Sequence, residues 1–296
     1  MKIGYFADGL WSHKAIEKII QLGEFEIAFI VPRFDTQDPV LKEWAETLEV
    51  PFLLAESVNK PEFLEKIKTY QADLLVSMSF NQILKKDIIE LAPKCFINCH
   101  AGALPFYRGR NPLNWVLING EKEFGITVHY VNEGIDTGDI IEQRMYPISS
   151  TDNYASLLET AISECAEVLY AGLKKLDSET FESQKQSEIH PVGSYFGIRT
   201  FGDEKINFAW SAERCVNFVR AISRPGPCAR FYVHEKEYLI ESAELIPEAP
   251  AYISTEGEVV GRNDAGVVVK VGDTTMLLTS ISTIEEQPFV PKFRIG

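Results

Sequence analysis

The chain has 296 residues, 45% of them hydrophobic, and a formal net charge of −14 at pH 7. That apolar content can fill a buried core, which excludes disorder as the main state. The excess of 43 acidic over 29 basic residues disfavours general attraction to nucleic-acid phosphates or anionic membranes. The five cysteines are scattered without a CxxC pair, so neither a disulfide framework nor a metal site is predicted.

The N-terminal sequence MKIGYFADGL reaches an aspartate at position 8 and lacks the long apolar core of a signal peptide. No apolar run of 18 residues follows, so no membrane-spanning segment is predicted. Together with the scattered cysteines, these features lead us to expect a cytoplasmic protein with no membrane partner.

Apolar runs alternate with helical periodicity through the first hundred residues. Strands are predicted at 2–7, 26–31, 53–55, 74–77 and 95–98, and helices after Ser12 and at 39–48 and 61–70. This alternation is typical of an α/β fold with a doubly wound, mostly parallel sheet. Ligands of such sheets bind beyond the carboxyl ends of the strands, so the loops there are where chemistry is expected.

The second half changes character after a long helix predicted from residue 153 to about 176. The polar stretch 178–197 contains proline and glycines and is predicted to be a linker. A helix at 212–222 and several short strands separated by turn residues then indicate a small, OB-like β-barrel. We therefore expect a catalytic domain with its linker at 1–200 and a C-terminal barrel domain at 201–296.

Residues 96–141 contain the side chains that suggest chemistry. The strand at 95–98 runs into Asn98 and His100, and a strand at 125–131 leads into the acidic loop NEGIDTGD with Asp136. If the two strands are neighbours, these three side chains converge at one sheet edge. An imidazole can take a proton from an attacking amine, a carboxylate can orient it, and an amide can donate to a developing oxyanion. The alternative from spacing alone is a hydrogen-bonded structural histidine and a turn asparagine.

The same segment resembles the core of the 10-formyltetrahydrofolate-dependent formyltransferases. The resemblance rests on linked motifs over more than forty residues: Asn98-Cys99-His100, Leu104-Pro105-Phe106-Tyr107-Arg108-Gly109, Asn114-Trp115, Gly125-Ile126-Thr127-Val128-His129 and Asp136-Thr137-Gly138-Asp139. The C-terminal region is similar to the accessory barrel of the methionyl-tRNA and some sugar formyltransferases.

The resemblance implies a Rossmann-like catalytic core and a formyl transfer from 10-formyltetrahydrofolate. Asn98 would stabilise the tetrahedral intermediate, His100 would relay the proton and Asp136 would orient the imidazole. The folate-binding residues implied by position are Phe80, Gln82, Ile83, Leu84, Arg110, Val131 and Glu133. For Arg108 we expect loop anchoring by hydrogen bonds to carbonyls, and for His129 a structural hydrogen bond.

Comparison of subfamily features favours a nucleotide-linked amino sugar of the 4-amino-4,6-dideoxyhexose type as the acceptor. The first loop, ADGLWSHKA, has one glycine, unlike the phosphate-gripping loop of glycinamide ribonucleotide formyltransferases. Formyltetrahydrofolate hydrolases carry an extra domain ahead of this core, which begins here at residue 2, so we do not expect hydrolysis as the main activity. The loop VPRFDTQDPV has one arginine and two aspartates where methionyl-tRNA formyltransferases have a basic loop, which disfavours nucleic acid. The implied acceptor contacts are Trp11, Ser12, Lys14, Tyr107 and Asn111.

Two alternatives stay open from the sequence. Length and C-terminal domain also resemble methionyl-tRNA formyltransferase, and the scaffold could instead belong to a non-catalytic folate- or nucleotide-binding protein. A homodimer is compatible with either. The acceptor candidates also have alternative roles. Trp11 and Tyr107 could serve in packing, Ser12 and Asn111 could cap helices, and Lys14 could be a solvated surface charge.

Overall fold

The structure is a computed structural model that describes residues 1–178 and 180–283. The strands are β1 (Lys2–Ala7), β2 (Glu26–Pro32), β3 (Leu74–Met78), β4 (Cys95–His100), β5 (Arg108–Gly109), β6 (Glu123–Tyr130), β7 (Ile140–Pro147), β8 (Tyr195–Phe196), β9 (Ala229–Val233), β10 (Lys236–Leu245), β11 (Val259–Asn263), β12 (Gly266–Lys270) and β13 (Thr275–Thr283). The helices are α1 (Gly9–Leu22), α2 (Pro39–Thr47), α3 (Pro61–Lys68), α4 (Lys86–Ile89), α5 (Pro112–Ile118), α6 (Tyr154–Asp177), α7 (Gln186–Ile189) and α8 (Ala212–Ala221).

The chain divides into two compact units. The first comprises residues 1–109, 124–146 and 159–196, and the second comprises 110–123, 147–158 and 197–296. The chain passes from the first unit to the second for the last time between residues 196 and 197. This point lies close to the predicted domain boundary at residue 200. The stretch 178–197, interpreted as a linker, contains α7 and β8 and belongs to the first unit. Residues 284–296 of the predicted C-terminal domain lie outside the described residues.

A six-stranded sheet in the order β2-β1-β3-β4-β6-β7 forms the centre of the first unit. Strands β1 to β4 are parallel, as the alternation of strands and helices predicts. Every residue of β3 and all but the first of β1 are buried, which is typical of central strands covered on both faces. The strand predicted at 53–55 does not form; one isolated bridge joins Phe52 to Ile30 instead.

Antiparallel pairing of β4 with β6 is the feature that positions the site. The register places Asn98 opposite His129 and His100 opposite Thr127. The neighbour relation on which the sequence interpretation depended is therefore present. It brings the polar end of β4 beside the strand that leads into the Asp136 loop.

The core on one side of this sheet is built on aromatic rings. The Phe6 ring lies 5.3 Å from that of Phe96 and 6.0 Å from that of Phe29, and all three side chains are buried. The partly buried side chains of Phe80, Leu84, Val131 and others pack against this cluster. The loops that follow β3 and β6 thus rest on a rigid base at the carboxyl end of the sheet.

The loop after β1 is fixed by a carboxylate from the loop after β2. Asp38 caps α2 by accepting from the amides of Val40 and Leu41, at 3.0 and 3.2 Å. Its second oxygen accepts from the Gly9 amide at 2.8 Å and contacts His13 Nε2 at 2.7 Å. The first turn of α1 therefore already holds an anion from its own chain.

The second unit has a five-stranded antiparallel sheet in the order β11-β12-β13-β10-β9. Ser211 caps helix α8, because its hydroxyl accepts from the Arg214 amide at 3.3 Å, and the helix buries Cys215, Phe218 and Val219. The two parts of the predicted fold class, a mostly parallel α/β core and a smaller β domain, are both confirmed. Among the described residues, no helix is long and apolar enough to cross a membrane.

Candidate active site

Asn98, His100 and Asp136 converge at the carboxyl end of β4. Asn98 Nδ2 lies 3.5 Å from Asp136 Oδ1, and His100 Nδ1 lies 3.8 Å from Asp136 Oδ2. The three positions implied by the resemblance are thus assembled around one carboxylate, within the first unit.

The hydrogen bonds of His100 define which nitrogen is basic. His100 is 8% exposed, and its Nε2 lies 2.7 Å from the carbonyl oxygen of Tyr107. Since a carbonyl only accepts, Nε2 carries the hydrogen, and Nδ1 is left as the basic nitrogen of the neutral ring. That nitrogen faces Asp136, so a proton arriving there forms an imidazolium against a carboxylate.

Asp136 is held as a carboxylate. Burial by itself raises the pKa of its carboxyl, but the neighbouring His100 and His129, in their protonated forms, outweigh burial and hold this pKa well below its usual range. The Gly109 amide adds a hydrogen bond to Oδ2 at 2.9 Å. Asp136 is therefore ionised at every pH near neutrality.

His129 completes the polar cluster from β6. Its Nδ1 donates to the Tyr130 carbonyl at 2.8 Å, and its Nε2 lies 3.2 Å from Asn98 Nδ2 and 3.5 Å from Asp136 Oδ1. A neutral ring accepts from Asn98 at Nε2, whereas a protonated ring donates to Asp136. His129 therefore orients the amide of Asn98, and the expected structural hydrogen bond is present.

The loop between His100 and β5 is anchored from β6 and β7. Thr127 Oγ1 donates to the Gly102 carbonyl at 2.7 Å, and Gln143 Nε2 donates to the Leu104 carbonyl at 2.9 Å. A Cβ at Gly102 would come within 2.5 Å of His100 Nε2, so this position requires glycine. The sequence interpretation missed Gln143, whose partner lies 39 residues away.

Arg108 serves as an anchor. Its guanidinium donates to the Val192 carbonyl at 3.1 Å and to Gln186 Oε1 at 2.6 and 3.0 Å. Gln186 in turn donates to the carbonyls of Asp136 and Gly138, at 2.8 and 2.7 Å. The sequence interpretation did not single out Gln186.

The residues assigned to folate separate into four groups. Ile83, Leu84 and Glu133 line a shallow depression of about 340 Å³, together with Lys85, Lys86 and Asp87. Phe80 and Val131 pack against the aromatic core at the same end of the sheet. Gln82 is engaged internally, because it accepts from the Val58 amide at 2.9 Å and donates to the Ala55 carbonyl at 3.0 Å. Arg110 is exposed and belongs to the second unit.

The residues assigned to the acceptor are also unequal. Ser12 is fully buried and its hydroxyl donates to the Gly9 carbonyl at 2.8 Å, so it offers no surface to a ligand. Tyr107 is 9% exposed and stacks on Phe196 at 5.1 Å, which matches the packing alternative.

The remaining acceptor candidates keep some accessible surface. Trp11 is half-buried, and Lys14 is exposed with Glu17 3.2 Å away. Asn111 lies at the N-cap of α5, in the second unit, with no capping hydrogen bond from its side chain.

The loop after β2 carries its single arginine in an internal network. The Arg33 guanidinium contacts Asp35 at 2.5 and 3.1 Å and Asp8 at 3.5 Å, and Thr36 donates to Asp8. These carboxylates satisfy the guanidinium within the protein.

Comparison with known proteins identifies the family. Residues 26–171 match the family model described as "Formyl transferase", and residues 200–290 match "Formyl transferase, C-terminal domain". The methionyl-tRNA formyltransferase of Syntrophus aciditrophicus is 30% identical over 243 residues, covering 82% of this chain and 76% of that protein. The chain belongs to the formyl transferase family. It is a formyltransferase, an enzyme that moves a one-carbon group.

Solved structures show how widely the formyl transferase fold matches. The N-formyltransferase from Helicobacter canadensis, in complex with folinic acid and dTDP-3-aminofucose, aligns with a TM-score of 0.70 and 20% identity, over 95% of this chain and 100% of that one. HypX from Aquifex aeolicus, in complex with tetrahydrofolic acid, aligns with a TM-score of 0.64 and 18% identity. The alignment includes 98% of this formyltransferase but only 46% of the HypX chain. At these identities the structures establish the fold alone.

Proposed function

We propose that this formyltransferase moves the formyl group of 10-formyltetrahydrofolate to the amino group of a nucleotide-linked amino sugar. The observation that carries the proposal is the convergence of Asn98 and His100 on the buried carboxylate of Asp136, at 3.5 and 3.8 Å. Structural neighbours solved with folates and with a dTDP-linked amino sugar support the choice of donor and acceptor.

The first step is attack of the unprotonated acceptor amine on the formyl carbon. The carbonyl π electrons move to oxygen, and the Asn98 amide, oriented by His129, can donate to that oxyanion. His100 Nδ1 accepts the proton that the amine nitrogen loses, and Asp136 stabilises the resulting imidazolium. Collapse of the oxyanion breaks the bond to the donor nitrogen, which takes the proton back from His100. The products are a formamide and tetrahydrofolate.

We place the donor in the shallow depression that Ile83 and Leu84 line. Ile83 is 76% exposed although it is a large hydrophobic residue, and it adjoins Leu84 and Glu133 in the shallow depression. Two apolar side chains among charged neighbours, Lys85, Lys86, Asp87 and Glu133, suit a flat heteroaromatic ring that carries polar edges. We assign Ile83, Leu84 and Glu133 to the pterin. Phe80 and Val131 pack against the aromatic core, as Leu84 does, and would support this surface.

The acceptor assignment follows from the loop after β2. Arg33 is satisfied by Asp35 and Asp8, so this loop offers no free arginine for a nucleic-acid phosphate. Near the end of β1, Trp11 and Lys14 keep accessible surface and are the proposed contacts, whereas Ser12 is excluded by its burial.

Methionyl-tRNA formyl transfer is the second candidate, because a methionyl-tRNA formyltransferase is 30% identical to the chain. Both candidates are tested by incubating the purified protein and 10-formyltetrahydrofolate with a panel of dTDP- and UDP-linked amino sugars and with charged initiator tRNA. We expect tetrahydrofolate release with at least one amino sugar and not with the tRNA. Formylation of the tRNA alone would reverse the choice of acceptor. Folate binding without release in any reaction would indicate a non-catalytic binding protein.

A further inference from the structure

We propose that Gln186 is a positioning residue for Asp136, so that a side chain from the segment after α6 holds the catalytic loop in place. The inference rests on the proposed function, in which Asp136 stabilises the protonated His100. Gln186 opens α7 and is 3% exposed. It lies in residues 172–199, which fall between the two family-model matches.

The amide of Gln186 uses its full hydrogen-bonding capacity. Nε2 donates to the carbonyls of Asp136 and Gly138, at 2.8 and 2.7 Å, while Oε1 accepts from Arg108 Nε and a terminal nitrogen, at 3.0 and 2.6 Å. A primary amide has two N–H donors and an oxygen with two lone pairs, so no polar valence is left over. No other neutral side chain of this size offers the same four bonds.

The Asp136 loop needs support of this kind. Asp136 has a φ of +53°, in the left-handed region that costs a side-chain-bearing residue free energy. At Gly138 a Cβ would lie 1.8 Å from the Tyr130 carbonyl, which leaves the backbone no room to relax in that direction. Gln186 fixes both carbonyls that flank this turn.

The same amide also acts on the carboxylate through Arg108. Arg108 and Gly109 form β5, and the Gly109 amide donates to Asp136 Oδ2 at 2.9 Å. By binding Arg108, Gln186 holds β5 in place. Strand β5 also pairs with β8, which follows Gln186 in the segment after α6. Gln186 therefore sets the backbone of Asp136 and one donor to its carboxylate together.

A glutamate could not replace this amide. A carboxylate accepts from Arg108 but cannot donate to two carbonyls, and it would place a second negative charge beside Asp136. The site thus requires a neutral group that donates and accepts at once.

The test compares Gln186→Met, which keeps the volume and removes all four bonds, with Gln186→Glu. Gln184→Met is the matched control, since Gln184 is exposed and two residues away. For Gln186→Met we expect kcat to fall about 10- to 100-fold, the KM for 10-formyltetrahydrofolate to change less than threefold, and the control to match wild type. For Gln186→Glu we expect a loss of kcat, relative to wild type at the same pH, that becomes smaller as the pH falls. The reason is that the carboxyl at position 186 regains a hydrogen-bond donor when it is protonated.

A purely structural role predicts a different result. Gln186→Met would then lose activity only in proportion to the folded fraction measured by circular dichroism, and the loss in Gln186→Glu would not depend on pH; either result overturns the proposal. The ring Cε1–H NMR signal of His100, assigned with His100→Asn, gives a readout independent of turnover. We expect it to shift in Gln186→Met and not in Gln184→Met, whichever acceptor the wild-type enzyme uses. An unshifted signal would contradict the positioning role even if the wild-type protein transferred no formyl group.

Discussion

At the scale of single residues, the proposed reaction depends on the imidazole of His100 and the carboxylate of Asp136, which lie 3.8 Å apart. His100→Asn or Asp136→Asn should each lower kcat about 100- to 10,000-fold, because the proton acceptor or the charge that stabilises it is removed. The measurement is tetrahydrofolate release under saturating acceptor. His234→Asn is the control, since His234 is exposed and has a φ of +54° that asparagine tolerates. Full activity in either site variant would remove these residues from the mechanism.

The ionisation of Asp136 also has a consequence for stability. Its pKa in the folded protein lies well below its usual range, so the unfolded chain binds the proton more readily as pH falls. The stabilisation is therefore fully present above an unfolded value of about 3.9 and is lost as pH drops below it. We expect wild type to melt at a higher temperature than Asp136→Asn at pH 7, and the difference to narrow as the pH falls below about 4. A difference that stays constant with pH would contradict this linkage.

At the scale of elements, the sheet follows directly from the apolar runs. Strands β1, β3 and β4 are mostly apolar and mostly buried, and the loops after their carboxyl ends are the ones in which chemistry was expected. The convergence of Asn98, His100 and Asp136 could be predicted because they lie at or after the ends of two neighbouring strands. Gln186 could not, since a hydrogen bond across 50 residues leaves no periodic pattern in a polar stretch. The absent strand at 53–55 shows the same limit, because short apolar runs do not specify a pairing partner.

The Asp136 loop gives a test at this scale. Gly138→Ala should destabilise the protein and lower kcat, because the new Cβ would lie 1.8 Å from the Tyr130 carbonyl. Gly197→Ala is the control, since a Cβ there meets nothing within 4 Å. Thermal melting and turnover are measured for both variants. Equal behaviour of the two would show that the loop can move away from β6.

At the scale of the whole molecule, the distribution of charge bears on which acceptor can bind. Residues 201–296 carry 14 acidic and 10 basic side chains, so most of the negative charge of −14 lies in residues 1–200. This distribution and the pairing of Arg33 with Asp35 both support the proposal of a small acceptor over a nucleic acid.

All five cysteines are free, and four of them are buried. Burial raises the pKa of the Cys95 and Cys215 thiols to about 12. We expect a disulfide-exchange reagent at pH 8 to react slowly with the native protein and to count five thiols after denaturation. A count below five in denaturant would reveal a disulfide, and rapid native reaction would show that these sites open readily.

The short pairing of β5 with β8 bears on how this enzyme can be recombined with its relatives. The family-model matches end at residue 171 and resume at residue 200, which invites a chimera joined between them. A junction at residue 171 would import a foreign stretch in place of Gln186 and β8, although both belong to the first unit. A chimera that keeps this chain through Phe196 retains Gln186 and β8 together with the residues they contact, so the segment to be exchanged as one piece is longer than the matched region.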